Sequence, residues 1–389
     1  MKQLPERAFV AGVGMTAFGR HPDRSLVDLG AEAVRDAMED AGVRAADVEA
    51  VYCGSAMAAL VQHETGVGQA VMMELGIGWI PVINVENACA TGATALHLAW
   101  RDVASGGRDV VIALGVDKAV MPKGTVLDAG SAQIEAQLGD IFPGTFALIA
   151  DRHMETYVTT AEQMAQVSVK NHENGMLNPK AQFNKPVTLE EVLASPMIAT
   201  PLTLFSCCPN SDGAAAVVVC SSAWLRTHAG QGIEIAASAL TSGSYDPMRD
   251  MTYWECEEIC AQNAYEAAGL RPKDIDLVEV HDAFTISEIV HCETLGFCER
   301  GEGGAFTEAG ETALSGRIPI NPSGGLLARG HPPGASGLAQ VFEVVQQLRG
   351  VAGARQIANA ETGLVQIMGG NKGNDTQACA VHILKKSSF

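Results

Sequence analysis

The chain has 389 residues, 47% hydrophobic and 18% charged, which is material for two or three domains or one large duplicated unit. Aromatics are scarce at 5% and the 41 glycines abundant, a balance that suits packed helix–sheet layers better than a β-sandwich. With 26 Lys and Arg against 45 Asp and Glu, the net charge of −19 argues against nucleic acid or an anionic membrane as partner, but not against one phosphate group held by local amides.

In chain order, Ala8 to Gly14 is an apolar run ending in glycines, read as a buried strand and a turn. Ser25 is a plausible N-cap for a helix to about Ala41, with Leu26, Leu29, Ala33, Val34 and Ala37 on one face and Gly42 as its stop. Val48 to Gly54 reads as a strand, the stretch 62–76 as a helix, and Trp79 to Ile83 as a strand-like run. A small-residue helix follows from Ala93 to Trp100, then a buried strand over Val110 to Gly115. This alternation predicts a parallel or mixed sheet covered by helices on both faces. Residues 120–205 form an insert rich in Gln, Asn, Met and His, with helical stretches near Phe146–Tyr157 and Ala161–Asn171; Ser211 to Val219 returns the chain to a core strand.

The pattern then repeats. Ala37 to Val51 matches Ala264 to Val278 at a constant spacing of 227, and Ala113-Leu114-Gly115-Val116-Asp117-Lys118 resembles Ile367-Met368-Gly369-Gly370-Asn371-Lys372. Matched blocks in one order make duplication the better account. Each half carries a Gly-rich loop leading into a helix: one holds Cys89, the other His331. Packed about a pseudo-two-fold axis, the halves would bring these loops face to face. Cys89 sits where a helix begins, among N–H groups without intrahelical partners, an environment that favours thiolate; the alternative is a packed thiol. The ten cysteines form no pair of C-x-x-C motifs, so neither zinc nor a disulfide framework is expected. No apolar run of about 18 residues and no signal-like N-terminus is present, so a cytoplasmic protein without a membrane span is expected.

Cys89 before Thr91-Gly92, Ser211-Asp212-Gly213-Ala214-Ala215-Ala216, His281-Asp282-Ala283-Phe284, and Gly330-His331-Pro332 with Gly334, Ser336 and Gly337 occur in thiolase order. Over essentially its whole length the chain resembles the sterol-carrier-type and archaeal-type thiolase branch, including the thiolase subunit acting on benzoylsuccinyl-CoA. The resemblance implies a duplicated α/β thiolase fold in five layers, α-β-α-β-α. It implies an N-terminal half of residues 1–119 and 206–240, an inserted loop domain of 120–205 shaping the acyl-CoA site, and a C-terminal half of 241–389. It also implies coenzyme A as substrate with no metal in the chain, a homodimer or higher oligomer, and a small zinc-binding OB-fold partner.

By the same resemblance Cys89 carries the acyl group, His331 activates it, His281 helps form an oxyanion hole, and backbone N–H groups at Gly369 and Gly370 contribute to another. The chemistry suits these residue types: a thiolate attacks the keto carbon, an imidazole supplies the base, and donors hold the thioester enolate. His97, His153, His172 and His291 read as structural or surface, and Cys207, Cys208, Cys256 and Cys260 as packing. Pocket walls are expected from Met121, Phe142, Phe146, Met154 and Met176.

The chain departs from the family at one step. A second cysteine serves many thiolases as proton shuttle, but its two known positions hold Ile367 and Ala283 here. His281, His331 or a held water is left for that step. The leading expectation is cleavage of a β-keto acyl-CoA with CoA, branched or aromatic ones such as benzoylsuccinyl-CoA included. The alternatives are an acetoacetyl-CoA-forming condensing enzyme, a lipid-transfer-protein-type retro-aldolase with an OB-fold partner, and a non-catalytic acyl-CoA or lipid carrier.

Overall fold

The computed structural model describes residues 6–121, 134–228, 232–246, 248–372 and 375–387. The first half opens with strand β1 (Ala8–Met15) and helix α1 (Leu26–Ala41). Ser25 starts α1 with a capping box: its hydroxyl accepts the Asp28 N–H at 3.0 Å, and the Asp28 carboxylate accepts the Ser25 N–H at 2.9 Å. Gly42 ends it in the left-handed conformation. Gly12 and Gly14 make no turn; they lie inside β1 and let α1 rest on the strand's backbone. A Cβ at Gly14 would stand 2.1 Å from the Ala33 carbonyl oxygen.

Next come β2 (Ala50–Gly54), α2 (Val67–Glu74), β3 (Val82–Val85), α3 (Thr91–Ala104) and β4 (Val110–Lys118). The helix expected over 62–76 is shorter because His63 and Gly66 take positive φ just before it. The insert contributes α4 (Phe142–Tyr157) and α5 (Ala161–Met176), and β5 (Asp212–Ser221) re-enters the sheet. The second half supplies β6 (Ile233–Thr241), α6 (Glu255–Ala268), β7 (Leu277–Glu279), α7 (Thr285–Thr294), α8 (Gly325–Arg329), α9 (Pro333–Arg349), β8 (Thr362–Lys372) and β9 (Asp375–Lys386).

The strands run β3-β2-β4-β5-β1-β6-β9-β8-β7. In the first half β2 pairs in parallel with β3 and β4, and β5 is antiparallel to both β4 and β1. The second half repeats this: β7 is parallel to β8, β9 is antiparallel to β8 and β6, and a parallel bridge from Val278 to Ile320 stands where β3 pairs with β2. Among the described residues the two half-sheets join only through Phe9–Glu234 and Val10–Ile233. Helices α1 and α2 cover one outer face, α6 and α7 the other, and α3 and α9 fill the middle, giving the five layers.

Small residues let the two middle helices touch at their N-termini. A Cβ on Gly92 would lie 2.5 Å from the Gly334 carbonyl oxygen, and one on Gly337 would lie 2.8 Å from the Ala93 nitrogen. Whatever precedes α3 therefore meets whatever precedes α9. Among the described residues no helix is long and apolar enough to cross a membrane.

Candidate active site

The residue before the α3 N-cap is Cys89, and His331 comes two residues before α9. The His331 Nε2 stands 3.2 Å from the Cys89 Sγ. The Ser336 hydroxyl donates to the Pro332 carbonyl at 2.9 Å and lies 2.8 Å from the His331 Nδ1, so it is placed to accept the Nδ1–H. That arrangement selects the tautomer with a bare Nε2 lone pair facing sulfur. The His331 backbone N–H donates to Ser211 Oγ at 2.8 Å, and that hydroxyl donates to Gln182 Oε1 at 2.6 Å.

His281 comes from the segment after β7. Its ring centroid is 5.5 Å from that of His331, and its Nε2 is buried with no hydrogen-bond partner. One ligand atom each from Cys89, His281 and His331 lie within 4.8 Å of one another. The His281 main chain is held on both sides: Gln366 Oε1 accepts its N–H at 3.0 Å, and His291 Nε2 donates to its carbonyl at 3.0 Å. His291 in turn meets the buried Glu257 carboxylate at 2.7 Å. Asp282 accepts the Leu326 N–H at 2.7 Å and the Asn171 amide at 2.8 Å, tying the His281 segment to α8 and to the insert.

Gly369 and Gly370 differ in kind. A Cβ at Gly369 would lie 2.1 Å from the Asn87 carbonyl oxygen, so glycine is needed there for β8 to pack under the cysteine loop. The Gly370 N–H, and the cysteine's own N–H, lie near enough to the Cys89 sulfur to favour its thiolate. Ala88, just before the nucleophile, holds φ at 48°, a strained value for a non-glycine residue.

The electrostatics depart from the expectation of a thiolate. Burial pushes the Cys89 thiol up to about 12, with Asp117 and Glu86 adding to the rise and the Gly370 N–H opposing it. Burial also brings His331 down to about 3, helped by Arg329, and holds His281 well below the usual imidazole range, helped by His331 and His291. Desolvation outweighs the helix terminus. Both shifts favour the neutral thiol and the neutral imidazole over an ion pair.

Several residues with a hand in the site carried no sequence signal. Asp117, held near 6 by burial against four donors, accepts the Ser55 hydroxyl at 2.6 Å, the Met57 N–H at 2.8 Å and the Gly334 N–H at 2.6 Å, and so caps α9 from the opposite half. His291 lies directly behind His281. Cys208 donates its N–H to the Ala283 carbonyl at 2.9 Å beside the Cys207–Phe284 antiparallel bridge, a register that puts Cys208 next to Ala283 across the pair. Burial raises its thiol well above the usual range, and its neighbours Cys207, Cys89 and Asp282 raise it further. Cys256 and Cys260 are buried, as packing residues would be.

A cavity of about 670 Å³ opens at Cys89, lined by Met57, Leu60, Val85, Ala88, Phe142 and Asn371 among others. Of the five expected wall residues, Phe142 alone lines it. Phe146 stacks on Phe284 at 4.4 Å within the core, Met154 packs there too, and Met176 is half exposed. Loops of the first half build most of the wall, and Phe142 of the insert with Pro333, Gly370, Asn371 and Gln377 of the second half complete it. A larger depression of about 740 Å³ near Tyr253, Arg300 and Arg317 holds none of the Cys89 set.

Two family models, described as the thiolase N-terminal domain and the thiolase C-terminal domain-like region, match residues 8–223 and 237–386. The chain belongs to the thiolase family of acyltransferases. Acetyl-CoA acetyltransferase of Methanothermobacter thermautotrophicus is 46% identical over 97% of this chain and 99% of that protein. Benzoylsuccinyl-CoA thiolase subunit BbsB of Thauera aromatica is 39% identical over 89% of this chain and 90% of its own, and sterol carrier protein 2 of Bos taurus 37% over 94% and 70%. A solved Ltp2-ChsH2(DUF35) aldolase superposes with a TM-score of 0.85 at 29% identity, covering both chains in full. Human mitochondrial 3-ketoacyl-CoA thiolase in complex with CoA superposes at 0.75 and 18% identity over 99% of each, a likeness of fold.

Proposed function

We propose that the protein exchanges acyl groups between a β-keto acyl-CoA and coenzyme A through an acyl-enzyme on Cys89. The observation that carries this reading is the 3.2 Å approach of a bare His331 Nε2 to the Cys89 sulfur. His331 takes the thiol proton as sulfur attacks the keto carbon, and the Cys89 and Gly370 N–H groups receive the alkoxide. The C–C bond then breaks, its electron pair passing into the thioester enolate, whose oxygen is met by the unpartnered His281 Nε2 as an N–H donor.

The α-carbon needs a proton, and Cys208, opposite Ala283, is the group we assign to it. The thiolate left behind recovers a proton from incoming CoA. The CoA sulfur then takes the acyl group, and Cys89 regains its proton from His331. Loss of α-proton exchange with deuterated solvent in Cys208→Ala, with the Cys89 acyl-enzyme still forming, is the expected result; undiminished exchange removes the assignment.

Two acyl classes have support. The 46% identical acetyltransferase favours acetoacetyl-CoA, and the open cavity at Cys89 favours a bulkier or aromatic acyl group such as that of benzoylsuccinyl-CoA. Turnover of a panel of β-keto acyl-CoA esters decides between them. A homodimer is supported by edge strand β3, whose neighbour Trp79 is fully exposed and whose Ile83 faces outward. The likeness to the Ltp2-ChsH2(DUF35) aldolase supports a DUF35-type OB-fold partner and keeps the retro-aldol reading alive. Acid-quenched protein with labelled substrate separates these readings: acyl label on Cys89 supports transfer, whereas turnover without label, retained in Cys89→Ala, supports aldol cleavage. A cytoplasmic setting is supported by ten free cysteines.

A further inference from the structure

We propose that Cys89, His281 and His331 also form a binding site for a soft divalent cation, zinc foremost, which masks the nucleophile reversibly. The donor set is one thiol sulfur and two imidazole nitrogens, the ligand types zinc prefers. In a tetrahedral zinc site with bonds of about 2.0–2.3 Å, ligand atoms lie roughly 3.3–3.6 Å apart. The His331–Cys89 pair, at 3.2 Å, already stands near that spacing, and all three donor atoms lie within 4.8 Å. The third ligand must close by about 1 Å, a movement within reach of ring rotation.

Three features favour occupancy. His281 is 6% exposed and its Nε2 has no partner, so a lone pair presented there by the Nδ1–H tautomer is available without breaking another bond. His331 is braced from behind by the Ser336 hydroxyl on Nδ1, the outer-shell support that fixes ring orientation in metal sites. Three protein ligands leave a fourth position, and the cavity at Cys89 opens onto it for water or an incoming thiol. Binding releases one proton, Cys89–SH and Zn²⁺ giving Cys89–S–Zn⁺ and H⁺ taken by buffer. The metal and an acyl group then exclude each other on one sulfur, and a chelator or excess CoA thiol restores the free enzyme. The site uses the residues of the acyl-transfer reading but not its reaction, so the two ideas fail separately.

The test uses the full-length, metal-free protein. Titration with Co²⁺ is expected to raise a thiolate-to-cobalt charge-transfer band that saturates at one ion per chain and is bleached by Zn²⁺. Peptide mapping after iodoacetamide treatment is expected to show Cys89 alkylated at least about tenfold more slowly with Zn²⁺, and normally again once a chelator is added. Cys89→Ser should lose the band, and His281→Ala should weaken Co²⁺ binding by about 10- to 100-fold or more. No saturable band, a band that persists in Cys89→Ser, or alkylation of Cys89 unaffected by Zn²⁺ in the unaltered protein would overturn the proposal. The alkylation arm needs no variant, so misfolding of a variant cannot shelter the idea.

Discussion

The two halves share a frame and differ in what their loops carry. Gly42 and Gly269 end α1 and α6 in the same left-handed conformation, at φ 65° and 67°. Each is followed by a one-turn 3-10 helix braced by an Arg–Asp box, Arg44–Asp47 in one half and Arg271–Asp274 in the other. Then comes a parallel strand, β2 or β7. The divergence falls at the N-termini of α3 and α9. One loop holds a thiol on a strained turn; the other holds an imidazole whose proton is placed by Ser336. Duplication brings equivalent points together, and unlike side chains at those points make a donor–acceptor pair where two copies of either loop would not.

The largest effect expected from breaking this division of labour is at the thiol. Cys89→Ala should abolish the trapped acyl label and lower turnover by about 10³-fold or more. Full turnover in that variant would end the acyl-transfer reading. His331→Ala should cost roughly 10²- to 10⁴-fold in kcat, as for loss of a general base.

The pH profile sharpens the same pair. His331 must be neutral to accept a proton, and with its ring held near 3 it is neutral at every pH above about 4. The acidic limb of kcat/KM is therefore expected to show no histidine step near 6.5, the unperturbed imidazole value. A clear step there would mean that His331 titrates near the ordinary imidazole value and that burial does not hold it down.

Effects on the frame should be smaller. Gly92→Ala forces a Cβ against the Gly334 carbonyl oxygen and pushes α3 from α9; about 1–3 kcal/mol of stability, read from urea unfolding, is the expected loss. Because this contact aligns the loops, kcat should fall with it. A variant that loses stability but keeps kcat would show that the loops are held by other means, such as the Asp117 contact to Gly334. Smallest of all, Gly42→Ala and Gly269→Ala should each cost about 1–2 kcal/mol, by similar amounts and without change in kcat, since they strain equivalent left-handed caps far from the site. Unequal costs would mean that the halves have diverged in frame as well as in chemistry.

Much of this was legible in order along the chain. The Ser25 cap, the Gly42 stop and the repeated Ala-Gly-x-Arg block depend on neighbours within a few residues, and local hydrogen bonding realises them wherever they occur. The limits of α2 were not legible, because His63 and Gly66 break an otherwise helical pattern through backbone angles that no periodicity records. Apart from Phe142, the pocket walls were misplaced for a related reason. Apolar residues of the insert look alike whether they face a cavity or a core, and Phe146 and Met154 chose the core.

The sequence by itself determined the duplication, the cysteine and histidine loops, and the family, since each rests on residue identity and spacing. Tertiary structure decided the rest. It set Cys89 3.2 Å from His331 by the contact of two glycine-lined helix ends, and its burial, with Asp117 and Glu86 adding, pushes the thiol up. It also placed His291 behind His281, Asp117 beneath α9 and Cys208 opposite Ala283, contacts between residues distant in the chain. Desolvation and long-range contact depend on what the whole fold excludes or encloses, and no local stretch of sequence carries that information.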